Sequence, residues 1–233
     1  MSAADPLELA CVYLLATRMD DAAAATAERG LTAVEPAALR RALADDARRL
    51  AFWIDVYNGA VERHPVGEDV STLERVRYFR RPVVTVAGQD LSLDAIEHGL
   101  LRRSRWRVSL GYLGNPRPGH FEREHRVDRV DPRIHFALNC GVASCPPIAA
   151  YAADRIEAQL ELATRSYLHG ESELRGSTLL VPALLLWYLG DFGGLRGVRR
   201  MLRRYEVEGA DARIRFKRYD WTPAAGRWTA DGP

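Results

Sequence analysis

Two cysteines, Cys140 and Cys145, flank a glycine and run into two consecutive prolines in the stretch His135-Phe-Ala-Leu-Asn139-Cys140-Gly-Val-Ala-Ser-Cys145-Pro-Pro. This stretch constrains the fold most, because Gly141 interrupts any regular element and each proline removes an N–H and fixes φ. Before the glycine, Ile134, Phe136, Leu138 and Cys140 alternate with Arg133, His135, Ala137 and Asn139. That is the period of a strand with one apolar face and one face carrying His135 and Asn139. After it, Ser144-Cys145-Pro146-Pro147 has the form of a helix entry with proline in the first turn, and Ile156, Leu160, Ala163 and Tyr167 follow at helical spacing. The expected centre is therefore a strand-turn-helix holding both thiols at the strand's carboxyl end.

Around this centre the pattern is mostly helical. Asp5-Pro6-Leu7-Glu8 reads as a capped helix start, with Leu7, Cys11, Leu14 and Leu15 on one face and Cys11 filling core. Residues 45–63 place Leu50, Trp53, Ile54, Tyr57 and Val61 at helical spacing, with Asp55 and Asn58 beside the stripe as candidates for holding a loop. Val83-Val84-Thr85-Val86 is a strand leaving through a tight turn, and Ser92 caps the next helix. In that helix Leu93, Ile96, Leu100 and Leu101 form the buried arc. Glu97 falls inside the arc, and His98 lies at its edge between Asp94 and Arg102. Residues 103–132 show neither period and read as a long Arg-rich loop. Downstream come a strand at 178–181, an apolar helical turn at 183–189, a helix around Val198, Met201, Leu202 and Tyr205 with an arginine-rich outer face, and a charged edge strand from Arg213. No Pro/Gly/Ser-rich linker divides residues 1–233, so the expected fold is a helix-rich α+β single domain with a small sheet.

Charge and hydropathy exclude several classes. A net charge of +2 supplies no strong field for nucleic acid. The longest apolar run, residues 181–189, is half of what a bilayer crossing needs, so no membrane partner is expected. The first residues lack a basic segment and Glu8 interrupts their apolar stretch, which points to a cytoplasmic protein. Three cysteines are too few for a disulfide scaffold.

A helix amino terminus lowers a thiol's pKa, so Cys145 is the first candidate nucleophile and Cys140 the second. His98 or His135 would act as base, and Glu97, Asn139 or Asp191 would orient it. N–H groups near Gly141 and Ser144 are candidates for an oxyanion hole. The same cysteines with His135 would offer zinc an incomplete ligand set, since Cys-x4-Cys is wider than a finger knuckle and no second pair exists. A reversible disulfide across the turn, or two buried thiols packing it, are the remaining alternatives. No cofactor motif is present. The expected ligand is a small molecule or peptide. Arg117, His120, His125 and Trp106 in the long loop suggest an acidic one.

Taken in order, Ala51-Phe-Trp-Ile-Asp55-Val-Tyr-Asn58, Leu91-Ser-Leu-Asp-Ala-Ile-Glu97-His98-Gly-Leu-Leu-Arg102, the cysteine stretch from Asp131, Trp187-Tyr-Leu-Gly-Asp191-Phe-Gly and Tyr219-Asp-Trp221 resemble domain-of-unknown-function family 547. The likeness runs from about residue 8 to about residue 222. It implies that Glu97, His98, His135, Asn139, Cys140, Cys145 and Asp191 belong to the family signature, without assigning them chemistry. Relatives occur alone or exported in bacteria and archaea, and joined to coiled-coil and other segments in plants and animals, which implies an interaction module there. The family pattern usually has Asn where this chain has Asp55, and a small residue such as Ala where it has Gly59.

Overall fold

The computed structural model describes residues 5–19, 21–67, 70–224 and 226–229. The opening residues 1–4, part of the argument against a leader, lie outside the described residues. Helices α1 (Pro6–Met19), α2 (Asp21–Thr32) and α3 (Pro36–Ala42) lead into α4 (Asp46–Arg63), which is followed by α5 (Thr72–Arg80). Asp5 accepts the Leu7 N–H at the start of α1, and Asp45 caps α4 by accepting the Arg48 N–H at 3.0 Å. Every residue of α4 from Leu50 to Val61 is buried, so the helix is the axis of the first core rather than a one-sided stripe.

Strands β1 (Pro82–Val86) and β2 (Gln89–Ser92) form a hairpin, an additional strand beyond the one expected. Ala87 and Gly88, both at positive φ, make its two-residue turn. The Ser92 hydroxyl accepts the Ala95 N–H, and the chain enters a π-helix at Ala95–Leu101. Within the long loop, helix α6 (His120–His125) and a single 3-10 turn at Arg107–Ser109 give regular structure where none was expected. After α7 (Ile156–Glu171), β3 (Glu173–Arg175) pairs antiparallel with β4 (Thr178–Val181), and β4 pairs parallel with β5 (Arg213–Phe216). Helices α8 (Leu184–Trp187) and α9 (Gly194–Arg204) complete the order, with Arg199 and Arg203 of the basic face bonded to carbonyls and to Asp211. The helix-rich α+β class holds, with two small sheets in place of one.

The centre differs from the strand-turn-helix expectation. Residues Pro132–Phe136 form a 3-10 helix, because Pro132 presets φ at its first turn and the Asp131 carboxylate accepts the Arg133 N–H. Residues 134–139 are all buried, so the alternation marks no two-faced strand. No helix begins at Cys145: Pro146 and Pro147 each disfavour the α conformation of the residue before them, and α7 starts only at Ile156.

Buried polar side chains of α4 hold this loop, as expected for Asp55 and Asn58. Asn58 donates to the Ala137 carbonyl at 3.0 Å and accepts the Asn139 N–H at 2.9 Å. Asp55 accepts the Tyr151 N–H at 2.9 Å, and burial raises its pKa well above 3.8 despite that bond. A protonated Asp55 is an uncharged acceptor like the Asn usual in relatives. Because the folded-state pKa is raised, the contribution of Asp55 to stability is greatest at low pH and falls as pH rises from about 4 toward the folded value. Asp55→Asn is expected to melt higher than wild type near pH 7, with the advantage disappearing near pH 4. Melting curves across pH check this, and an advantage that grew on acidification would contradict it.

Candidate active site

Two apolar cores meet at the middle of the molecule. The first gathers around α4, the β1–β2 hairpin and the π-helix; the second gathers around α7, β4, α8 and α9. Arg102, just past the π-helix, and Asp191, in the turn between α8 and α9, cross the boundary with Nε to Oδ2 at 2.6 Å, both side chains fully buried. Gly111 makes this approach possible. At φ +87° it lies against Asp191, and a Cβ there would collide with the carboxylate.

The ion pair positions both candidate histidines. His135 Nε2 lies 2.9 Å from Asp191 Oδ2, and the imidazole stacks on Tyr188 at 3.7 Å between centroids. With Asp191 ionised, Nε2 carries the proton and donates, leaving Nδ1 as the acceptor. Arg102 Nη1 donates to His98 Nδ1 at 2.8 Å, while His98 Nε2 faces Asp94 at 3.7 Å. His98 thus sits between Asp94 and Arg102, as its helical position suggested. Burial, reinforced by the Arg102 charge, lowers its pKa to about 3. Burial also lowers His135, against the opposing pull of Asp191. Burial alone would raise Asp191, but the bonds from His135 and Arg102 outweigh it and hold the carboxyl below its usual range.

The π-helix explains how adjacent residues reach one space. The Arg102 N–H bonds to the Glu97 carbonyl five residues back at 2.8 Å, widening the turn so that Glu97 and His98 both line a cavity. The expected arc of Leu93, Ile96, Leu100 and Leu101 is buried behind them. Glu97 is 7% exposed. Its Oε1 has no hydrogen-bond partner among the described residues, and the Tyr188 hydroxyl is directed at its carboxyl group.

The cavity measures about 240 Å³ and also takes His135, Cys140, Trp187, Tyr219 and Trp221 into its wall. Cys140 and Cys145 are joined by a disulfide across the turn, with Cα atoms 6.1 Å apart. Cys140 is half-buried on the cavity side, whereas Cys145 is 1% exposed and packs in the first core. The Tyr219 hydroxyl lies 3.4 Å from one sulfur and 3.2 Å from the other. Burial raises its pKa, so it remains a donor at neutral pH.

Asn139 is absorbed by the loop: its amide donates to the Pro146 carbonyl at 2.6 Å and its oxygen accepts the Gly141 N–H at 2.7 Å. The amides expected to form an oxyanion hole are therefore occupied, since the Ser144 N–H is also taken by the Asp220 carbonyl. Residues 220–224 lie across the cysteine loop through the Ala143–Thr222 and Ala224–Gly141 backbone bonds, which seats Tyr219 and Trp221 at the cavity. Of the long-loop candidates, His125 is buried and rings with Phe121, while Arg117, His120 and Trp106 are exposed away from the cavity; Arg107 joins its wall instead. The zinc alternative finds no group of three or more His, Cys, Asp or Glu placed to hold a metal among the described residues.

Sequence reasoning missed Arg102, Tyr188, Trp187, Tyr219 and Trp221 as site residues. Arg102 carried a signal, an arginine beside Leu100 and Leu101 one turn after His98. Removing one member of this buried pair leaves the other charge uncompensated, at a cost of about 3–5 kcal/mol. Asp191→Ala should lose stability on that scale. The Arg102→Met/Asp191→Leu double variant should lose markedly less than the sum of the single changes, as read by denaturant unfolding.

Residues 41–168 match the model of the family described as "Protein of unknown function, DUF547". No curated protein and no solved structure matches the chain. No described helix is long and apolar enough to cross a membrane.

Proposed function

The chain belongs to the DUF547 family, and we propose that its cavity is a thiol active site in which reduced Cys140 attacks an acyl group and His135 serves as base. The observation that carries this reading is the His135–Asp191 bond of 2.9 Å, with Asp191 itself held by Arg102 at 2.6 Å, on a cavity whose wall includes Cys140. Base and orienting carboxylate in that relation are the supporting half of a Cys-His-Asp site. Between the two cysteines the exposure favours Cys140, which faces the cavity, over Cys145, which lies behind it.

In this reading a dithiol reductant first supplies two electrons and opens the Cys140–Cys145 disulfide. The Cys140 proton passes to His135 Nδ1 as sulfur adds to the acyl carbon. Tyr219 donates a hydrogen bond to the oxygen that gains charge, replacing the backbone donors that the loop consumes. His135 returns the proton to the leaving group, and water then hydrolyses the thioester and restores the thiol. Asp191 and Arg102 are positioning residues. The oxidised protein is the resting form, and a reducing compartment such as the cytoplasm would activate it.

Turnover of a chromogenic ester or thioester by the reduced protein tests this. Cys140→Ser is expected to abolish turnover, whereas Cys145→Ser retains it and becomes insensitive to mild oxidation. The reverse pattern, or equal activity of both variants, would sink the assignment.

A second reading is supported by the density of bonds on the cysteine loop: Asn58, Asn139, residues 220–224 and the disulfide all hold it, as an architectural element of a binding domain requires. Closing so short a loop stabilises by about 2 kcal/mol in the chain-entropy account. Under this reading, reduction lowers the melting temperature by roughly 4–8 °C and no thiol-dependent turnover accompanies it. An unchanged melting temperature on reduction argues against it.

A further inference from the structure

The same cavity carries a charge and lining that neither the thiol chemistry nor the family match accounts for. Asp94 Oδ2 faces Arg107 Nη1 at 3.2 Å and the exposed Arg80 at 3.8 Å, and Arg102 is matched by Asp191. His98 is uncharged at neutral pH, its Nδ1 lone pair already turned to Arg102. Glu97 has no arginine or lysine partner among the described residues; its Oε1 is buried, lies 3.6 Å from His98 Nδ1 and accepts no hydrogen bond. A buried carboxylate oxygen with no donor costs free energy unless something supplies one.

Aromatic rings make up much of the remaining wall. Trp187 and Trp221 stack at 5.5 Å between centroids, and Tyr219 lies 4.6 Å and 4.7 Å from them. Trp221 already carries the Arg75 guanidinium 4.2 Å from its ring centroid; the ring faces left open attract organic cations, and the Glu97 carboxylate adds charge complementarity and a hydrogen-bond acceptor. The volume of about 240 Å³ equals that of roughly eight water molecules, enough for a short alkyl chain with a charged end.

We infer that this cavity binds a small alkylammonium group, such as a primary amine or an amine-bearing side chain, with its N–H donors on Glu97 Oε1 and its alkyl stem against Trp187, Tyr219 and Trp221. An ammonium bearing N–H groups fits better than a quaternary one, because only the former satisfies the empty acceptor. The inference shares with the thiol reading the premise that this cavity takes a ligand. It concerns binding alone and is tested on the disulfide-linked protein, which that chemistry cannot use.

The test is calorimetric titration of the oxidised protein with n-butylammonium, 1-butanol, butyrate and tetramethylammonium, with tryptophan fluorescence as a second readout. Expected is saturable 1:1 binding of n-butylammonium, at least tenfold tighter than each of the other three. Glu97→Gln and Trp221→Ala should each weaken it at least tenfold while melting as cooperatively as wild type. Should Glu97→Gln fail to fold, the Trp221→Ala result and the comparison of amine with alcohol decide. Equal affinity for amine and alcohol, preference for butyrate, or no saturable amine binding would overturn the inference. Amine binding without turnover after reduction would remove the thiol reading and leave this one standing; turnover without amine binding would do the opposite.

Discussion

The fully buried pairing of Arg102 with Asp191 is the interaction from which the arrangement of the centre follows. Each charge left in a low-dielectric interior alone would cost several kcal/mol, so one side chain can be buried only where the other arrives. Arg102 directly follows Leu100 and Leu101 of the core around α4, and Asp191 lies in the turn after α8. Their meeting fixes how those two cores face each other. It also consumes the positive charge that would otherwise sit beside two histidines. One of them accepts from Arg102 and the other donates to Asp191, so each imidazole is held in a defined tautomer with no net charge added.

Three local devices convert that junction into a cavity. The π-helix widens one turn so that Glu97 and His98, neighbours in sequence, line the same space. The disulfide and Asn139 fold residues 140–145 tightly enough that Cys140 reaches the wall while Cys145 stays behind it. Residues 220–224 then cross that loop by backbone bonds and deliver two aromatic rings from the far end of the chain. Each device spends backbone regularity to place a side chain, and such departures gather where side-chain placement matters more than local stability.

The family match ends at residue 168, within α7. Glu97, His98, His135 and both cysteines of the loop fall inside it, whereas Asp191, Trp187, Tyr188, Tyr219 and Trp221 fall outside. The matched segment therefore carries both sulfurs of the loop, the two imidazoles and the Glu97 carboxylate. The rest of the chain supplies Asp191, which bonds to His135, and the rings of Trp187, Tyr188, Tyr219 and Trp221 in the cavity wall.

The sequence by itself determined the helices with uninterrupted apolar periodicity and clear caps. It determined the buried position of Glu97 and the setting of His98 between Asp94 and Arg102, because helical spacing is a local property. It made Asp55 and Asn58 candidates for holding a loop, because both are poor helix formers in mid-helix, and left a solvated position as the alternative. Only the tertiary structure decided the cysteine segment, where complete burial erased the two-faced meaning of the alternation and two prolines postponed the helix to Ile156. It alone decided which carboxylate meets which histidine, because His135 and Asp191 are 56 residues apart and their bond depends on the packing of two cores. The aromatic wall was likewise beyond local reading: Trp221 gains its place from hydrogen bonds between backbones, and these carry no trace in residue type.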